Sequence, residues 1–272
     1  MKPEATSMHI GTIDAAATLG DSWIHRASPV AKLLAFALVL AAAMVSWNLL
    51  ILASLAVMLV AVILSSRVSL GLAVSLAAYP ALFGAVFALS SASDAMVGTV
   101  IVLKAACAGL AAVSVALTTP YPQIFAPIQR VTPPLVGDAL LMTYRSTFLL
   151  LDKFSSLMTA IRLRSGLAHR QPLRAARATT AALGGLLLYS IDLAQRDYDV
   201  MRLRGYNSRL RVGRPRPASF AHDALMLAVA FATLLASVLW RIAAPVLNPY
   251  SWVVMFPAIA LVAMAAYVRR AK

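Results

Sequence analysis

The chain has 272 residues, 61% apolar and 12% charged, with a mean hydropathy of +0.81 and a formal net charge of +14. A soluble domain typically carries about 25% charged residues, so an ordinary soluble globular protein is excluded. The single cysteine, Cys107, lies inside an apolar run; it rules out an internal disulfide, and no CxxC or Cys/His cluster supports a zinc or redox site.

Residues 1–29 are mostly polar and form an N-terminal segment. The apolar run that follows from Val30 is too long for a cleaved signal peptide. Between Val30 and Leu64 the only charge is Lys32. As one helix this stretch would measure about 50 Å, too long for one crossing of about 30 Å of hydrocarbon. Ser46-Trp47-Asn48 is the natural hairpin, with Trp47 at the membrane interface. Two short spans over 30–46 and 49–65 follow. A third runs over 71–90, with a kink expected at Pro80. A fourth runs over 94–118 and carries Lys104, an intramembrane charge and so a functional candidate.

After a long polar insertion, two more spans lie at 221–242 and 251–268. Pro245, Pro249 and Pro257 leave the last pair open to a re-entrant or interfacial path. The reading is an all-α integral membrane protein of about six transmembrane helices. Its regions are 1–29, a four-helix region 30–118, an inserted region 119–220, and a C-terminal transmembrane region 221–272.

The positive-inside rule sets the orientation. With the N-terminus in the cytoplasm, the external loops near Trp47, Ser91–Asp94 and Arg241–Tyr250 hold one basic residue, Arg241. The internal side receives Lys2, Arg26, Lys32, Arg67, Arg269, Arg270, Lys272 and the whole of 119–220. A multi-pass protein of the plasma membrane, with cytoplasmic N-terminus and insertion, is the expectation.

The insertion holds fifteen of the 24 Lys and Arg against five acids, Asp138, Asp152, Asp192, Asp197 and Asp199. Pro120, Pro122, Pro127, Pro133 and Pro134 break its beginning into turns and short pieces. Two long helical patterns follow. In the first, Leu140, Leu141, Tyr144, Phe148, Leu151 and Leu157 recur at helical spacing, and it ends near Gly166. The second starts after Pro172, passes the apolar stretch Leu183–Leu188 and ends near Gly205, a C-cap glycine. Asp192 and Arg196 stand at i,i+4, and Arg145 and Asp152 at i,i+7, so each polar face has pairs to make.

The two helix ends match. One reads Ile161-Arg162-Leu163-Arg164-Ser165-Gly166 and the other Met201-Arg202-Leu203-Arg204-Gly205-Tyr206. Both give apolar-Arg-Leu-Arg-small, as a docking surface for a pseudo-symmetric or dimeric partner requires. The small residue permits close backbone approach, and the arginine fork offers donors to carboxylates or to the carbonyls of a partner helix.

This pair of motifs resembles the two Ala-Arg-Gly-type signatures of the transmembrane T component of energy-coupling factor ABC importers. The surroundings resemble its cobalt/nickel, CbiQ-like, branch. Asp21-Ser-Trp-Ile-His-Arg-Ala-Ser-Pro-Val-Ala-Lys-Leu-Leu34 resembles the approach to that family's first span. Met142-Thr-Tyr-Arg-Ser-Thr-Phe-Leu-Leu-Leu-Asp152 resembles its first coupling helix, and Leu183-Gly-Gly-Leu-Leu-Leu leading to Asp199-Val-Met-Arg-Leu-Arg-Gly-Tyr206 its second. The likeness covers about 20–268 and is most specific between 140 and 207.

The resemblance implies two cytoplasmic coupling helices that seat on two ABC ATPase subunits, while the membrane region holds a substrate-binding (S) membrane subunit. It places the motif arginines on Arg164 and Arg204, with Leu163 and Leu203 where alanine is usual and Ser165 where glycine is usual. Gly166 and Gly205 complete the two contacts. The chain would be a non-catalytic permease subunit without a cofactor of its own, serving uptake of Co2+ or Ni2+. A vitamin substrate remains open, since substrate choice belongs to the S subunit.

A rival from another class is a membrane scaffold whose basic region grips anionic lipid, each juxtamembrane arginine contributing about 1 kcal/mol. Arg162 and Arg202 fit lipid or solvent better than docking. Lys104 could face the S subunit, bind a carbonyl, or snorkel to the interface. His9, in Met8-His9-Ile10, resembles the metal-binding start of cobalt/nickel substrate-binding subunits but is not terminal, and His9, His25, His169 and His222 show no ligand spacing. There is no Gly-x-x-x-x-Gly-Lys-Ser/Thr loop for ATP and no pair of carboxylates within the spans. A nucleic-acid partner is disfavoured by the hydrophobic character of the basic helices beside a bilayer.

Overall fold

A computed structural model describes residues 17–18, 20, 22–66, 68–163, 172–206 and 220–270. Its helices are α1 (Pro29–Val45), α2 (Leu49–Ser65), α3 (Leu70–Ser91), α4 (Ala95–Thr118), α5 (Tyr121–Val131), α6 (Pro134–Leu163), α7 (Pro172–Leu203), α8 (Phe220–Ile242), the single turn α9 (Ala244–Leu247), a 3₁₀ stretch (Asn248–Val254) and α10 (Met255–Arg270). The described residues form an all-α membrane protein. By contact density the chain divides into two compact units. Among the described residues, one holds 17–124 with 220–270 and the other 125–206.

In the first unit, sequence chemistry fixes the helix ends. Ser28 caps α1, its Oγ accepting from the Ala31 amide at 3.2 Å, and Pro29 occupies the first turn, where its missing N–H is not needed. Asn48 caps α2 by accepting from the Leu50 amide at 2.9 Å. Ser46-Trp47-Asn48 is therefore a true turn between two 17-residue helices. Each of these is about 25 Å long, short for a crossing. Helices α3, α4 and α8, and the stretch Ala244–Tyr267, are long and apolar enough to cross a membrane. The final crossing does not begin cleanly at residue 251. Pro245 and Pro249 deprive the backbone of two donors, and the chain enters through a helical turn and a 3₁₀ stretch before α10.

Helices α3 and α4 pack through small residues. Ala73, Ala77, Gly84 and Ala88 are the buried positions of α3, a small-residue stripe that brings helix backbones close where lipid supplies no hydrophobic drive for association. Helix α8 lies against α1, α10 against α2, and α2 also against α4. Leu52, Cys107 and Leu117 are fully buried between them, and the Cys107 thiol reaches the Leu52 carbonyl at 3.5 Å.

Both lysines of this unit's spans bind the carbonyl end of a neighbouring helix. Lys32 Nζ, only 3% exposed as a residue, donates to the Thr118 carbonyl at the end of α4 at 2.9 Å. Lys104 Nζ, from α4, donates to the Met44 carbonyl at the end of α1 at 2.9 Å. The last four carbonyls of a helix lack intrahelical partners and carry its negative dipole end, so an ammonium there is doubly favoured. The two antiparallel helices α1 and α4 thus cap one another.

At the end of the unit that holds Lys32, the Ser28 amide donates to Asp223 Oδ1 at 2.8 Å and Trp23 Nε1 to Ser65 Oγ at 3.3 Å. At the opposite end, Asn48 Nδ2 donates to Asn248 Oδ1 at 2.9 Å.

Candidate functional site

The second unit contains the matched helix ends. Helix α7 stops where glycine is needed: Gly205 has φ +74°, in the left-handed region. The Gly205 amide donates to the Arg202 carbonyl at 3.0 Å and the Tyr206 amide to the Met201 carbonyl at 3.1 Å. These two bonds form a Schellman cap. It fixes the direction in which the chain leaves the helix and leaves Arg204 exposed on the last turn.

Tyr206 then anchors this end. Its Oη donates to Asp138 Oδ2 at 2.5 Å, across 68 residues of sequence, and Asp138 is buried near the start of α6. The hydrogen bond to the carboxylate, with burial and the carboxylate's charge behind it, raises the Tyr206 hydroxyl above its usual value of 10.0. A raised acid favours the protonated form in the folded state. The contact's contribution is therefore complete below pH 10 and is lost as the pH climbs through the raised value. Tyr206→Phe removes the donor and keeps the ring. Tryptic cleavage after Arg202 and Arg204 is expected to accelerate in that variant, with helix content unchanged; an unaltered cleavage rate would deny the tether its role.

Helices α6 and α7 run antiparallel. Tyr206 meets Asp138 at one end, and midway Lys153 Nζ stands 5.0 Å from the centre of the Tyr189 ring. An antiparallel pair has a local twofold axis across it. The end of α7 and the end of α6 are therefore equivalent under that axis and separated by about 25 residues of helix, or about 38 Å. Leu163 is 82% exposed and Leu203 88% exposed, each directly after an arginine, Arg162 and Arg202. Arg202 lies 5.9 Å from the Tyr198 ring centre on its own helix, whereas Arg204 has no acidic partner among the described residues. Arg164, Ser165 and Gly166 lie outside the described residues.

Of the two ion pairs read from helical spacing, Asp192–Arg196 forms at 2.6 Å and is well exposed. Arg145 and Asp152 make none; seven residues place them about 10 Å apart along the axis. The middle of α7 presents Leu183, Leu187, Leu188 and Ile191 outward. Gly184 and Gly185 beside them have nothing within 4 Å of where a Cβ would stand.

The cobalt transport protein family CbiQ matches residues 20–213, well over half of the 272. The chain belongs to that family. A comparison with curated proteins finds no match. The CbiQ match begins before α1 and takes in α6, α7 and both helix ends, but stops before α8, so the last crossings lie beyond it. The chain is accordingly a membrane component of cobalt transport.

In this CbiQ chain, Lys104 has an intrachain carbonyl partner and also lies 4.2 Å from the centre of the Trp47 ring. In the sequence Lys104 stands out as an intramembrane charge, whereas Lys32 reads as a span-edge residue and Asp138 only as a charge. Proline and hydropathy patterns carry no signal for the Tyr206–Asp138 bond. Lys32 had one: a lysine in the first turn after a Ser-Pro cap, on a helix too short to hold it in water.

Proposed function

We propose that the chain is the transmembrane coupling subunit of an energy-coupling factor importer, joining two cytoplasmic ABC ATPases to a substrate-binding membrane subunit for uptake of Co2+ or Ni2+. The observation that supports this best is the twofold-related pair of helix ends on antiparallel α6 and α7, which close on the exposed Leu163 and Leu203. A twofold-symmetric ATPase pair presents the same surface twice, and the hairpin offers it two equivalent ends.

The mechanism follows from that match. Helices of 30 and 32 residues act as stiff levers. Closure of the ATPase pair on ATP draws the two seated ends closer by pivoting the stiff helices α6 and α7 against one another. The lever motion tilts the apolar face of α7, and the substrate-binding subunit that rests against the membrane component reorients. The arginine-rich region faces the cytoplasm in this scheme, in the plasma membrane. The chain does no hydrolysis of its own, and ion selection falls to the substrate-binding subunit.

The deciding experiment is a mild-detergent pull-down of the tagged chain with its native partners, followed by mass spectrometry. Recovery of an ABC ATPase and a small membrane subunit supports the assignment, and the identity of that subunit names the substrate, metal or vitamin. Recovery of the chain with lipid alone, under conditions that keep other complexes whole, rejects it in favour of a lipid-gripping scaffold.

A further inference from the structure

A pocket of about 230 Å³ opens in the first unit where the α1–α2 turn meets the turn after α8, lined by Ser46, Trp47, Asn48, Trp240, Arg241 and Asn248. Two of its lining residues carry buried polar atoms without partners. Ser46 is 2% exposed and its Oγ makes no hydrogen bond; the Trp240 Nε1 is shut away from solvent and makes none either. A buried donor without an acceptor costs about 1–3 kcal/mol and calls for an explanation. An indole N–H can only donate, so whatever meets it must be an acceptor.

Charge narrows the class. Lys104 Nζ and Arg241 Cζ stand 4.2 Å and 5.9 Å from the centre of the same Trp47 ring. Neither has a carboxylate partner among the described residues. Two cations on one aromatic ring, without a counter-charge, favour an anionic acceptor between them and the solvent. The walls are held in place. Asn48 caps α2 while its amide joins Asn248, so the two turns are pinned across the pocket.

Position narrows it further. The pocket lies at the ends of apolar helices, beside the exposed aromatics Trp47, Tyr250 and Trp252, the side chains that settle at headgroup level. We propose that this pocket binds a phosphate oxyanion of the kind a phospholipid headgroup presents, with Arg241 supplying charge, Trp240 and Ser46 the buried donors, and Lys104 a second charge behind Trp47. The volume suits a headgroup fragment, not a whole lipid; the acyl chains would run down the outer face of the helices.

The test is the thermal unfolding midpoint of the full chain in a non-ionic detergent. It is titrated with dioctanoyl phosphatidylglycerol, with dioctanoylglycerol as the phosphate-free counterpart, and with inorganic phosphate against chloride at equal ionic strength. Phosphatidylglycerol is expected to raise the midpoint and dioctanoylglycerol to leave it unchanged. Trp240→Phe and Arg241→Gln should each weaken that binding about tenfold, the loss of one hydrogen bond to a charged group. Inorganic phosphate acting alone, and losing its effect in the same variants, would keep the site and make its ligand soluble. No shift with either phosphate compound, or a shift that both variants leave intact, overturns the proposal. If one of the two variants does not fold, the other decides.

Discussion

Under the proposed coupling role, Arg204→Glu should abolish recovery of the ATPase subunits with the chain and, with it, metal uptake by cells, while the chain itself still folds and inserts. The expectation starts from where Arg204 stands. It is exposed on the last turn of α7, after Leu203, and its side chain makes no ion pair among the described residues. Its main chain holds the cap, since the Arg204 amide donates to the Val200 and Met201 carbonyls at 3.1 Å. Those bonds survive any side chain that tolerates a helix end. An acidic side chain there opposes the helix dipole, but only by about 0.3–1 kcal/mol.

The proposed docking contact is another matter. Truncating one partner of a buried, hydrogen-bonded charge pair costs about 2–5 kcal/mol, and placing like charges together adds to that. The interface should therefore weaken by a hundredfold or more, beyond what a pull-down retains. Under the lipid-scaffold reading the same change would only weaken membrane association, and only at low salt. Uptake lost with the ATPases still fully bound would remove Arg204 from the docking contact and leave it a role in transmission.

What could be read from sequence depended on which force places each residue. Five of the six apolar segments fall within about a residue of their expected bounds, because burial in lipid is a property of each segment taken singly; the last is entered from Ala244 and not from residue 251. The caps at Ser28, Asn48 and Gly205 are local as well, and Gly205 was recognisable as the end of α7. The contacts that organise the helices are not local. Tyr206 and Asp138 are 68 residues apart, Lys104 and Met44 60, Asn48 and Asn248 200. A lysine inside a span announces a partner but does not name it, and here the partners are backbone carbonyls, which no side-chain pattern encodes. The antiparallel register of α6 and α7 was also out of reach, since the matching motifs alone are equally compatible with helix ends side by side.

Gly109→Leu is the substitution expected to damage the fold most. A Cβ at Gly109 would stand 3.1 Å from Pro80 Cγ, 3.2 Å from the Ala77 carbonyl oxygen and 3.3 Å from Pro80 Cβ. None of these is the free end of a flexible side chain. Pro80 has already lost the hydrogen bond to the carbonyl four residues back, so this turn of α3 has less internal support to absorb a displacement. One turn along, a Cβ at Gly84 would come within 2.6 Å of Ala105 Cβ, so sliding α4 along the stripe only moves the clash. A leucine must therefore lift α3 from α4 along several turns. Overpacking of this kind costs about 1–3 kcal/mol in soluble cores. Here the small-residue contact is what holds the two helices together, so the effect belongs at the upper end, visible as a large fall in the detergent unfolding midpoint. Gly184→Ala supplies the contrast. Nothing lies within 4 Å of a Cβ there, and the exchange in mid-helix should be neutral or stabilising by up to about 1 kcal/mol. If Gly109→Leu unfolds no sooner than Gly184→Ala, α3 and α4 are not joined through this stripe, and Lys104 is the stronger bond holding α4 in its place.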